Sequence, residues 1–123
     1  MIIFLDFDGV LHPDAVYARS NKHLELKALG ALFMHAPVLI NALVPFPEAQ
    51  IILSTSWVRM LLYGRTLKKM PDLRKRVAGA TLHKGMRQSD GDPFSWMTTY
   101  ELIKSHIKPN GVKNLIAFDN IRF

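Results

Sequence analysis

The 123-residue chain predicts an α/β fold: three layers, with a mostly parallel central sheet of four core strands. Three observations carry that expectation. Apolar runs of strand length recur at Ile2–Leu5, Ile51–Leu53, Ala78–Leu82 and Leu115–Phe118, continuous rather than alternating, as in strands buried on both faces. Longer segments with helical spacing separate them, which is the alternation of a parallel sheet. Three of the runs also open directly onto polar residues, namely Asp6 and Asp8, then Ser54 and Thr55, then Asp119. An open α/β sheet keeps its chemistry in the crevice beyond the carboxyl ends of its strands, so a single Rossmann-like domain over residues 1–123 is expected.

The first run leads into the stretch that the rest of the chain serves. Asp6 is expected at the last strand position and Asp8 just past it, with Gly9 freeing the backbone to turn sharply away. Two carboxylates this close need a cation between them, or one must hold a proton. A hard ion such as Mg2+, which takes few carboxylates and keeps several waters, suits that position. An EF-hand is the wrong answer, because its fifth and twelfth positions need an oxygen ligand and a Glu, where this chain has Val10 and Tyr17.

His12 to Asn21 is polar, carries Pro13 and reads as a loop. From Lys22 the pattern of Leu24, Leu26, Leu29, Leu32 and Phe33 fits a helix interrupted near Gly30. Ala36 to Leu43 is a clearer helix, with Pro37 in its first turn and Pro45 and Pro47 ending it. After the second strand, Trp57 to Met70 is helical but contains Gly64, so it reads as two pieces. Leu73 to Val77 forms a short basic helix, and Ala78–Leu82, low in bulk, suits a sheet edge. A polar loop from His83 to Pro93 precedes a helix over roughly Thr98 to Ile107, capped by Ser95 or Thr98 and closed at Pro109-Asn110-Gly111. Leu102, Ile103 and Ile107 are its core-facing residues.

Composition narrows the class. An apolar fraction of 49% with seven glycines fits a globular protein, and the absence of cysteine removes disulfides and thiolate metal sites. No segment approaches the roughly 20 apolar residues of a membrane span. The initial apolar run is broken by Asp6 and has no basic leader, so no secretory signal is expected and the cytoplasm is the default. The formal charge is +6. Its excess gathers in Arg59, Arg65, Lys68, Lys69, Arg74, Lys75, Arg76, Lys84 and Arg87, opposed within that span only by Asp72. Such a field draws phosphorylated or polyanionic ligands, although solvated helical surface accounts for it equally well.

The run Asp6-Phe7-Asp8-Gly9-Val10-Leu11 resembles the first motif of the haloacid dehalogenase (HAD) superfamily, mostly Mg2+-dependent phosphatases and phosphotransferases that work through an aspartyl-phosphate. With His12-Pro13 it is similar to small HAD domains found alone in bacteria or attached to RNA-repair proteins. Ile51–Leu53 followed by Ser54-Thr55-Ser56-Trp57 resembles the second motif, in which a hydroxyl donates to a phosphoryl oxygen without adding charge. Ser54 is favoured for that role, with Thr55 as its rival, and a helix cap is the plain alternative for either. The third motif is a cation that neutralises the phosphoryl group. Lys84 and Arg87 both fall in its neighbourhood, Arg87 being preferred because the related domains tend to carry Arg there. Leu115–Phe118 with Asp119 resembles the fourth motif, whose acidic residue completes the metal site.

Two departures stand out. The fourth motif usually has two acidic groups, whereas Asn120 follows Asp119 here, and the fifth strand common beyond it is missing or short. The resemblance implies Asp6 as nucleophile and Asp8 as proton donor and acceptor. It also implies Mg2+ held by the Asp6 carboxylate, the Asp8 carbonyl and Asp119, with phosphate oxygens bound by Ser54 or Thr55 and by Lys84 or Arg87. Between Asp6 and Ser54 a loop and a core helix leave no room for a sizeable lid. The site is therefore expected to admit large phosphorylated substrates, a nucleic-acid end among them, or to borrow cover from a second subunit in a homo-oligomer. The competing expectation is a HAD-like module without catalysis, its site decayed at Asn120, that binds nucleic acid or a protein through its basic face.

Overall fold

The computed structural model of the chain describes residues 1–14, 16–18, 24–27, 29–70, 72–81, 99–111 and 113–119. Its central sheet is four-stranded and parallel, built from β1 (Ile2–Leu5), β4 (Gln50–Leu53), β5 (Val77–Ala80) and β6 (Leu115–Phe118) in the order β5-β4-β1-β6. The four strands are those the apolar runs predicted, with the weak β5 at an edge. Leu5 pairs with Leu53 on one side and with Phe118 on the other, so three strands end level with one another.

Burial on both faces makes three layers. Ile3, Leu5, Ile51 and Leu53 join one core with residues of α1 (Ala36–Leu43) and α2 (Trp57–Leu61), and the partly buried Leu67 of α3 (Tyr63–Lys69) packs against it. The alternate residues Phe4 and Ile52 are buried outside that cluster, as is Leu102 of α4 (Thr99–Asn110), and Phe4 meets His106 edge to face at 5.7 Å. Leu102 is fully buried while Ile103 and Ile107 are half-buried. The chain thus steps outward from β1 to β4 to β5, then crosses to the far side of β1. The connection out of β1 runs to β4 on one side, while the chain returns from β5 to lay β6 on the other side of β1, and the crevice of a doubly wound sheet opens at such a reversal.

Three local expectations are corrected. The segment read as a loop and then an interrupted helix holds an antiparallel hairpin, β2 (Val16–Ala18) with β3 (Leu24–Leu26). Leu24 is buried in the core, and Leu24 and Leu26, spaced at i and i+2, suit a strand as well as a helix. The break in the 57–69 helical region falls at Leu62, whose φ is +67°, while Gly64 sits inside α3. The Leu62 carbonyl accepts both the backbone N–H and the hydroxyl of the buried Thr66, which anchors the start of α3. Finally, α4 runs through Pro109 to Asn110. Ser95, Thr98 and the His83–Pro93 loop lie outside the described residues.

The predicted basic helix is a 3-10 turn over Asp72–Arg76, and Arg76 is more than a surface charge. Its guanidinium donates to the carbonyls of Phe46 (2.7 Å), Leu43 (3.0 Å) and Ala49 (3.3 Å), tying the end of α1 to the start of β4. A lysine cannot reproduce that fork. Arg76→Lys is expected to cost about 1–2 kcal/mol, seen as a lower urea midpoint at unchanged m-value. Among the described residues no helix is long and apolar enough to cross a membrane.

Candidate active site

The register of the sheet assembles the site. Ladder hydrogen bonds continue one residue past the strands, from Asp6 N–H to the Phe118 carbonyl (3.0 Å) and from Ser54 N–H to the Leu5 carbonyl (2.8 Å). Ser54, Asp6 and Asp119 consequently stand side by side at the carboxyl ends of β4, β1 and β6. Gly9 adopts φ +79°, as expected for the sharp exit after the first strand.

Asp6 and Asp119 meet. The Asp119 carboxyl stands close enough to Asp6 to raise it, both as a hydrogen-bond partner and as a like charge. Burial pushes the Asp6 carboxyl up to about 7; the Phe7 N–H, donating to its Oδ1 at 2.8 Å, works the other way, and Asp119 and then Asp8 raise it further. The third acid is differently engaged. Asp8 Oδ1 accepts from His12 Nε2 at 2.8 Å and from the Trp57 indole N–H at 3.2 Å. Two acids therefore face each other while the third is held by neighbours, and among the described residues no three acidic or histidine side chains gather as a metal cluster.

The two hydroxyls differ in their surroundings. Thr55 Oγ1 accepts the backbone N–H of Trp57, the first residue of α2, at 3.3 Å. Ser54 is 4% exposed, and its Oγ has no hydrogen-bond partner among the described residues. A buried hydroxyl left unpaired costs about 1–3 kcal/mol, a cost that a bound oxyanion would remove. Lys84, Arg87 and Asn120 lie outside the described residues.

The basic stretch does not form one face around the crevice. Arg59 lies on α2, which starts at the site end of the sheet, whereas the 3-10 turn with Arg74, Lys75 and Arg76 leads into β5 and so lies at the opposite, amino end. Sequence reasoning also missed what His12 and Trp57 do. The spacing of Asp8 and His12, four residues apart, was a local signal for one contact; nothing local pointed to Trp57, 49 residues from Asp8.

The sequence profile of the family described as "HAD domain in Swiss Army Knife RNA repair proteins" matches residues 2–121. No curated protein and no solved structure gives a significant match.

Proposed function

Because the chain belongs to the family of HAD domains in Swiss Army Knife RNA repair proteins, a phosphatase-type hydrolase family at the coarse level, we propose that it is a Mg2+-dependent phosphatase acting on phosphate monoesters, with a phosphorylated nucleic-acid end as the substrate class. The observation that supports this most is the strand register that sets Asp6 beside Asp119 at the carboxyl ends of β1 and β6, where the chain reverses direction across the sheet.

In the proposed reaction a carboxylate oxygen of Asp6 attacks phosphorus and the bond from phosphorus to the ester oxygen breaks. Asp8 gives its proton to that oxygen, releasing an alcohol. Water then attacks the aspartyl-phosphate, Asp8 takes up the water proton, and inorganic phosphate leaves with Asp6 restored. The Phe7 N–H keeps one Asp6 oxygen oriented. Asp6, Asp119 and the Asp8 carbonyl, all hard oxygen donors, would hold Mg2+, which when bound offsets the repulsion between a carboxylate and a phosphoryl anion. Ser54 would donate to a phosphoryl oxygen, and Lys84 or Arg87 would supply the balancing positive charge.

The test is Mg2+-dependent phosphate release from p-nitrophenyl phosphate and from 5′- and 3′-phosphorylated oligonucleotides. Hydrolysis of a phosphorylated end is expected. Salt-sensitive oligonucleotide binding with no turnover of any substrate would overturn the proposal in favour of a binding module. Ser54→Ala is expected to raise KM about tenfold with no loss of stability, since the hydroxyl it removes is buried without a partner among the described residues. Denaturant titration and initial rates measure the two effects, and an unchanged KM would exclude Ser54 from phosphate binding.

A further inference from the structure

Behind Asp8 lies a cluster of four rings. Phe7, His12, Phe33 and Trp57 are packed with centroids 5.2 to 5.5 Å apart, all but the tilted His12–Trp57 pair edge to face. Two members have a polar duty. The His12 side chain is fully buried, and its Nδ1 accepts the backbone N–H of Phe33 at 3.1 Å. The ring proton therefore sits on Nε2, which donates it to Asp8 Oδ1 at 2.8 Å. The indole N–H of Trp57, itself fully buried, donates to the same oxygen at 3.2 Å.

Phe33 supplies a separate sign that this arrangement is imposed. Its backbone has φ +62°, the left-handed region that a bulky residue rarely adopts. Such strain persists where surrounding contacts over-determine it, and it clusters at functional sites. Here the strained residue supplies the N–H that selects the His12 tautomer, while its ring touches Phe7, His12 and Trp57.

We propose that His12 and Trp57 are positioning residues that clamp one oxygen of Asp8, so that the other is the only one presenting a proton to the leaving group. The inference rests on the phosphatase reading, in which Asp8 protonates the ester oxygen. With Oδ1 filled by two N–H donors, the Asp8 proton resides on Oδ2; when the phosphorus–oxygen bond breaks, that proton passes to the ester oxygen and leaves a carboxylate that the same two donors hold in place. The side chain of Asp8 is 24% exposed against none of His12, so the acid is reachable while its holder is not.

The substrate pair p-nitrophenyl phosphate and an alkyl phosphate tests this, since nitrophenolate leaves without a proton and an alkoxide does not. Trp57→Phe and His12→Leu each remove one donor and keep an apolar filling. Both are expected to lower kcat/KM on the alkyl phosphate at least about tenfold and on p-nitrophenyl phosphate by less than about threefold. His12→Gln, which can still donate to Asp8, is expected to recover most of the alkyl phosphate activity. Equal losses on the two substrates, or no recovery in His12→Gln, would overturn the clamp alone. No hydrolysis of either substrate by the unaltered protein would overturn the reaction reading, and the clamp's purpose with it. Nitrogen-15 spectra of the imidazoles, which need no turnover, are expected to show His12 protonated on Nε2 and bare on Nδ1; the opposite tautomer overturns the clamp even where a variant fails to fold.

Discussion

Asp6→Asn is expected to lower phosphatase turnover by at least about 10³-fold, because an amide cannot form the aspartyl-phosphate and the remaining residues supply only binding and proton transfer. The change is isosteric, so the Oδ1 that accepts the Phe7 N–H is preserved and the fold stays intact. A second signature separates loss of the nucleophile from general damage. In the wild type Asp6 is a buried acid beside two others, so its neutral replacement removes like-charge repulsion. The variant is expected to be inactive yet more heat-resistant than the wild type at pH 8 in the absence of divalent cations. Wild-type rates in Asp6→Asn would remove the covalent route, and an inactive variant that melts lower at that pH would point to damage instead.

The second large effect is the pH dependence of stability without divalent cations. In the folded chain the Asp6 carboxyl titrates near 7, against an ordinary value of 3.8. Between those values the folded state keeps a proton that the unfolded state has lost. The stabilisation from the bound proton is therefore fully present below the unfolded value and disappears as the pH rises through about 7. The loss is on the order of a few kcal/mol, or about 10 °C in melting temperature for a chain of this length. Wild type is expected to lose that increment between pH 5 and pH 8, whereas Asp6→Asn keeps a flatter profile. Added Mg2+ is expected to restore the wild type at pH 8 and to do little at pH 5, where the proton occupies the place the cation would take. Parallel pH profiles for the two proteins would contradict a raised Asp6.

The site was legible wherever chemistry sits at the end of an apolar run. Ile2–Leu5 before Asp6, Ile51–Leu53 before Ser54 and Leu115–Phe118 before Asp119 are all strands in the structure, within one residue of the predicted limits. The antiparallel pair of β2 and β3 was not legible, because three-residue strands are too short for their period to stand apart from a helical one. Nor could local pattern separate Ser54 from Thr55, since both hydroxyls follow the same strand and only one finds the Trp57 N–H.

By itself the amino-acid order determined which residues reach the carboxyl ends of strands, because a short continuous apolar run makes the strand, whether buried as in β1 and β4 or exposed as in β6, and its first polar residue marks where it stops. Tertiary structure alone decided who meets whom. Asp6 stands beside Asp119 because β6 crosses to the free side of β1, and the tryptophan that starts α2, 49 residues along the chain, joins the local His12 at Asp8. Strand order and aromatic packing follow from burying β1 and β4 at the centre of the sheet, and that requirement acts on the whole chain rather than on any one stretch of it.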